Sequence, residues 1–74
     1  MVRYKLIELM GEKQRRENRR ITLMEIARET GVNRTTISKI ADPRGGYTTN
    51  TEILEKLCRY FGCKIGDLLE FEGD

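Results

Sequence analysis

Apolar residues recur at helical spacing in four separate stretches of this chain, and chemically distinct punctuation lies between them. In the first stretch, Leu6, Leu9 and Met10, continued by the aliphatic stem of Lys13, fall at i, i+3, i+4 and i+7. That spacing predicts an amphipathic helix over residues 4 to about 17, with Ile7 on its flank. Residues 18–20 make a short polar, basic connection. Thr22-Leu23-Met24-Glu25 then reads as a capping box, in which the threonine hydroxyl and the glutamate side chain satisfy N–H groups at the start of a second helix. This helix is short, because Gly31 supplies the left-handed residue that ends helices at low cost. Asn33 caps a third helix that runs through Ile37 and Ile40. It stops near Asp42-Pro43, since the residue before proline is pushed out of helical geometry.

Residues 44–48, Arg-Gly-Gly-Tyr-Thr, read as a loop. A second capping box at Thr49-Asn50-Thr51-Glu52 is expected to open a fourth helix, with Ile53, Leu54, Leu57, Cys58 and Phe61 inward and Gly62 closing it. A last short turn of helix over residues 66–69 packs Leu68 and Leu69 back on the core. The expected fold class is all-α, a compact five-helix single domain over residues 1–74. The sequence predicts no regular strand, only local extension at Val2-Arg3-Tyr4 and at Glu70-Phe71-Glu72.

Size and composition narrow the chemistry. A domain of 74 residues buries only about 60% of the surface of its unfolded chain and has no room for a deep cleft between lobes. No stretch approaches the roughly 18 apolar residues of a membrane span, and residues 1–5 lack the apolar run of a signal peptide. A soluble protein acting in the cytoplasm, with no membrane partner, is expected. Two cysteines, Cys58 and Cys63, are too few for the disulfide framework of a small secreted domain, and both read as reduced, apolar-side residues. With no histidine, a metal site would rest on two thiolates and carboxylates, a poor ligand set. Catalysis that depends on histidine is excluded. Neither clustered carboxylates on one helix face nor a glycine-rich phosphate loop is present, so no enzyme, no cofactor and no small-molecule ligand is expected. The few aromatic residues do not form the stacking platform of a single-stranded RNA binder.

The net charge of +2 conceals an uneven distribution. Residues 13–44 carry nine positive side chains against four negative ones, while residues 52–74 carry three against six. A basic middle and an acidic tail fit a protein with one face for a polyanion and another turned away from it.

The second and third helices, joined by a tight turn at Gly31, form a helix-turn-helix candidate over residues 22–41. Ile26 faces inward, and Ala27 is small where the helices cross. Gly31 makes the turn, Val32 plugs the space beneath it, and Ile37 and Ile40 anchor the third helix to the second. Together with Gly31-Val32-Asn33-Arg34-Thr35-Thr36-Ile37-Ser38-Lys39-Ile40 and the closing segment from Leu57 to Leu69, this pattern resembles the phage-repressor/Cro-type (XRE-like) helix-turn-helix family over nearly the whole chain. Within it, the chain is similar to stand-alone regulators without an effector domain. The resemblance implies a five-helix, lambda-repressor-like DNA-binding domain, double-stranded DNA as partner, and binding to palindromes as a dimer. For this chain the expected dimer contact is at the last helices, around Tyr60, Ile65 and Phe71. Three positions depart from the pattern. Leu23 stands where many relatives carry a phosphate-gripping glutamine, Thr30 stands where an apolar residue is usual, and residues 11–20 are longer and more basic than typical.

Helical geometry identifies the outer face of the third helix independently. Successive residues turn by about 100°, so with Ile37 and Ile40 inward, Thr35 and Lys39 point away, Ser38 lies beside them, and Arg34 and Thr36 flank them. Arg34 also sits at the helix start, the end that enters the major groove in helix-turn-helix proteins. The family's base-reading positions map onto the same residues: Arg34, Thr35 and Lys39. Thr36 and Ser38 are expected to make secondary or backbone contacts. Phosphate contacts are expected from Thr22 and the first N–H groups of its helix, and from Arg44, Tyr47 and Thr48. Arg19 and Arg20 would add general attraction, and solvation of an exposed helix end is an equal account of them. The expected function is that of a small transcriptional regulator, a repressor. The competing reading is a protein-interaction module on the same scaffold, such as an antitoxin or anti-repressor. The polar, basic outer face of the third helix favours nucleic acid over it.

Overall fold

A computed structural model describes residues 1–71 of the chain. Its elements run β1 (Val2–Tyr4), α1 (Leu6–Glu17), α2 (Leu23–Thr30), α3 (Arg34–Ala41), α4 (Thr51–Phe61), α5 (Ile65–Leu68) and β2 (Leu69–Phe71). Among the described residues, eleven buried apolar side chains, drawn from the helices α1 to α5 and their connections, form one core. Leu6, Ile26, Ile37, Leu57 and Leu68 are completely covered at its centre. The apolar spacing of α1 works as expected for Leu6 and Leu9, with Met10 packed at the edge, whereas Ile7 is exposed and takes no part.

Local chemistry sets the helix ends. The Thr22 hydroxyl accepts the Glu25 N–H at 3.1 Å, and Asn33 Oδ1 accepts the Thr35 N–H at 2.7 Å. Gly31 and Gly62 take the left-handed conformation at φ 76° and 66°. Space for a Cβ exists at both, so the backbone angle itself is what favours glycine there. At α4 the expected cap moves by one residue. Asn50, not Thr49, is the N-cap, its Oδ1 accepting the Ile53 N–H at 2.9 Å, and the Thr49 hydroxyl turns into the protein. Asparagine outranks threonine as a cap, and Ile53, Leu54, Leu57 and Phe61 lie on the core side as their spacing predicts. Asn50→Ala is expected to cost about 1 kcal/mol, a fall of roughly 4–8 °C in melting temperature. An unchanged thermal melt would contradict this cap.

The two ends of the chain form a small antiparallel sheet, with Val2 opposite Phe71, Arg3 opposite Glu70 and Tyr4 opposite Leu69. The fold is therefore helical with a minor two-stranded ribbon. Leu69 lies in β2, and α5 ends one residue earlier than the spacing predicts. Glu72, the last residue of the extended stretch expected from sequence, lies outside the described residues. Alternation explains why the pairing holds. Tyr4 and Leu69 face the core, while Arg3 lies 3.5 Å from Glu8 and 3.9 Å from Glu70 on the other side. The strand β1 also braces the loop after α3. The Gly46 N–H donates to the Val2 carbonyl at 3.3 Å, and the Tyr4 hydroxyl donates to the Tyr47 carbonyl at 2.6 Å.

Among the described residues, no helix is long and apolar enough to cross a membrane. Cys58 and Cys63 are free thiols, both half-buried against the core. Burial, reinforced by the neighbouring Cys58 thiol, pushes the Cys63 thiol up to about 11. It is protonated at neutral pH, the state of a packing residue and not of a nucleophile.

Candidate nucleic-acid interface

The geometry of the candidate surface begins in the turn between α2 and α3. Ile26, Val32, Ile37 and Ile40 are buried, and Ala27 packs at their edge. Thr30 has a specific use at its position. Its hydroxyl donates to the Ile26 carbonyl at 2.7 Å and accepts the Val32 N–H at 3.2 Å. The polar residue thus closes the turn and buries no unsatisfied group. Before α2, Gln14 Oε1 accepts the Ile21 N–H at 2.8 Å, so α1 fixes the entry to the first motif helix. Sequence spacing gives no signal for that contact.

With its inner face pinned, α3 presents Arg34, Thr35, Ser38 and Lys39 to solvent, and Thr36 is half-buried on the flank. The helix wheel and the structure agree on this face. The Arg34 end is open, its first turn holding no acidic residue. Lys39 Nζ sits 5.5 Å from the centre of the Tyr47 ring, a cation–π contact that draws the far end of α3 toward the following loop. Tyr47 is half-buried against the core and carries the carbonyl that Tyr4 holds, while Thr48 is exposed beside it.

The exposed side chain of Arg44 is engaged rather than loose. Its Nη2 donates to Asp42 Oδ2 at 2.6 Å, and its Nε lies 3.1 Å from both carboxylate oxygens. This contact, with the Arg44 backbone N–H next in size, holds the Asp42 carboxyl down at about 2. Asp42, which marks the helix stop in the sequence, also begins Asp-Pro-Arg-Gly, itself a turn signal.

Thr22 is exposed at the start of α2, as a phosphate-gripping cap requires, but the box it opens is only half made. The Glu25 side chain instead pairs with Arg19 at 2.7 Å, and Glu17 takes the same guanidinium at 2.8 Å. The Glu25 and Glu17 carboxylates raise the Arg19 pKa, and the Glu17 carboxyl is lowered, chiefly by Lys13. Arg19 is therefore held between two carboxylates that offset its charge. Arg15, Arg16 and Arg20 are exposed.

Two short helices locked at a fixed crossing, with a polar and basic outer face on the second, define a helix-turn-helix unit. The chain belongs to the family described as the Cro/C1-type helix-turn-helix DNA-binding domain, whose family model matches residues 5–74. DNA binding in the service of transcription regulation is the function of this class. No curated protein and no solved structure matches the chain.

Proposed function

We propose that residues 1–74 act as one domain that binds double-stranded DNA sequence-specifically and represses transcription, with α3 lying in the major groove. The observation that carries this reading is the outer face of α3, polar, basic and exposed from Arg34 to Lys39, while Ile37 and Ile40 are sealed in the core. Arg34 makes a bidentate contact to a guanine edge, Thr35 meets a thymine methyl or a base edge, and Lys39 reaches a guanine or a phosphate. Thr36 and Ser38 make secondary contacts. Thr22 and the α2 amino terminus grip one stretch of backbone, and Arg44, Tyr47 and Thr48 grip another. Arg20 adds long-range attraction. Arg19 contributes less, because Glu17 and Glu25 already neutralise it. Such a protein works where the chromosome is, at the nucleoid of the cytoplasm.

A second copy of the chain is the partner that palindromic operators require. Support for a contact at the carboxy-terminal end comes from Ile65, half-exposed, and Phe71, 76% exposed. Tyr60 does not belong to that patch. Its ring lies under Lys13 Nζ at 4.8 Å and edge-on to Phe61, and its hydroxyl is buried.

Selection of sites from random duplex DNA tests the reading. The recovered duplexes are expected to share a short motif that includes a guanine. Affinity for them should fall steeply with salt, on the order of a thousandfold between 50 and 200 mM if about six phosphates are neutralised. Recovery of unrelated sequences with a shallow salt dependence would contradict it.

A further inference from the structure

The Asp42–Arg44 pair differs in form from most exposed ion pairs of this protein. Lys56–Glu52 and Arg59–Glu55 are exposed helix-surface pairs four residues apart, of the kind that adds little to stability. In the Asp42 pair, the guanidinium is gripped along one whole edge. Nε and Nη2 both donate to the carboxylate, and Oδ1 also accepts the Arg44 backbone N–H at 2.9 Å. The turn beneath is fixed too, by Pro43 and by the Gly45 N–H donating to the Asp42 carbonyl at 3.0 Å. Arg44 nevertheless keeps 88% of its side chain in solvent. A planar guanidinium has two edges that can donate in pairs. One edge is taken by Asp42, and the other, led by Nη1, has no partner among the described residues.

An aspartate beside a DNA-binding surface has two opposite consequences. Its charge repels phosphate, and removing it raises the net charge from +2 to +3, which by bulk electrostatics tightens binding. Its carboxylate also immobilises a long, rotamer-rich side chain before the partner arrives, which lowers the entropy lost on binding. The two-pronged grip on a short, braced turn favours the second effect. We propose that Asp42 is a positioning residue for DNA binding, holding Arg44 by its Nε–Nη2 edge so that the adjoining end, Nη1 with the second N–H of Nη2, meets a backbone phosphate with two parallel hydrogen bonds. This rests on the reading of the loop after α3 as a phosphate-contacting segment. The carboxylate is charged at any pH at which binding is measured, so the grip is constitutive.

The sign of one substitution separates the two consequences. Asp42→Asn keeps an oxygen to accept the Arg44 N–H, so the turn is preserved, but loses the charge and the fork. Anisotropy titrations with a duplex recovered by selection and with a random duplex of equal length are expected to show roughly three- to tenfold weaker binding to both, because phosphate contacts do not read sequence. In an Arg44→Ala background the same substitution is expected to cause no loss, and Arg44→Ala alone is expected to reduce the salt slope by about one. Binding by Asp42→Asn as tight as the parent or tighter would overturn the proposal. An equal loss in the Arg44→Ala background would overturn it as well, since Asp42 would then act on the fold alone. A parent chain without preference for any duplex would fail the DNA reading itself, a result distinct from either.

Discussion

Ile37→Ala is expected to abolish cooperative folding, and DNA binding with it. The side chain is completely covered, seated between α2 and the core beneath α3. Truncating a buried isoleucine to alanine costs about 2–5 kcal/mol, through lost transfer energy and the cavity left behind. A single core in a chain this short rarely supplies more than about 3–5 kcal/mol in total. The loss therefore matches the whole reserve. Circular dichroism should show a broad, non-cooperative melt already under way at 25 °C. Ile37→Val, at about 0.5–1.5 kcal/mol, should still fold and bind. Ser38→Ala, one residue away on the exposed face, should leave stability within about 0.5 kcal/mol of the parent. If Ile37→Ala melts like Ser38→Ala, the isoleucine does not anchor α3, and the orientation of its outer face loses its cause.

Arg34→Ala is expected to do the reverse, leaving the fold intact and removing specificity. Arg34 is exposed at the first position of α3, and no core contact depends on it. A bidentate arginine–guanine contact gives about 1–3 kcal/mol of discrimination, so binding to the selected site should weaken roughly 5- to 150-fold. Binding to random duplex should weaken much less, by the share of one general charge. Arg34→Lys should not restore the preference, because an ammonium lacks the planar fork that matches the two guanine acceptors. Selection repeated with Arg34→Ala should recover sites degenerate at one guanine position. An unchanged site preference would contradict the placement of Arg34 in the groove.

Much of the candidate interface is legible from the chain because its determinants are local. Thr22, Gly31, Asn33 and the Asp42-Pro43 step each announce a helix end within a few residues, and once Ile37 and Ile40 are inward the outer face follows from helix geometry. The features that escape are those made at a distance or by choice among similar groups. The pairing of Val2–Tyr4 with Leu69–Phe71 joins opposite ends of the chain through three residues each, too few for a periodic signal. Arg19 looks like one more basic residue until the fold brings Glu25 to it beside Glu17, and the capping box at Thr22 loses its second half for the same reason. Of two adjacent capping candidates, Thr49 and Asn50, both leave Leu54 and Leu57 inward, and the higher rank of asparagine as a cap decides between them. Tyr60 reads as an available aromatic, yet Lys13 from α1 covers its ring. These outcomes concern how charges and edges are used, and they leave the outward orientation of α3 untouched.

That orientation can be read most directly by mapping amide chemical shifts during titration with a duplex obtained by selection. The largest changes should fall on residues 33–39, with smaller ones on residues 22–24 and 44–48, while the buried face and α5 stay nearly still. Changes confined to α5 and β2, with the amides of Arg34 and Thr35 unmoved at saturation, would contradict the account.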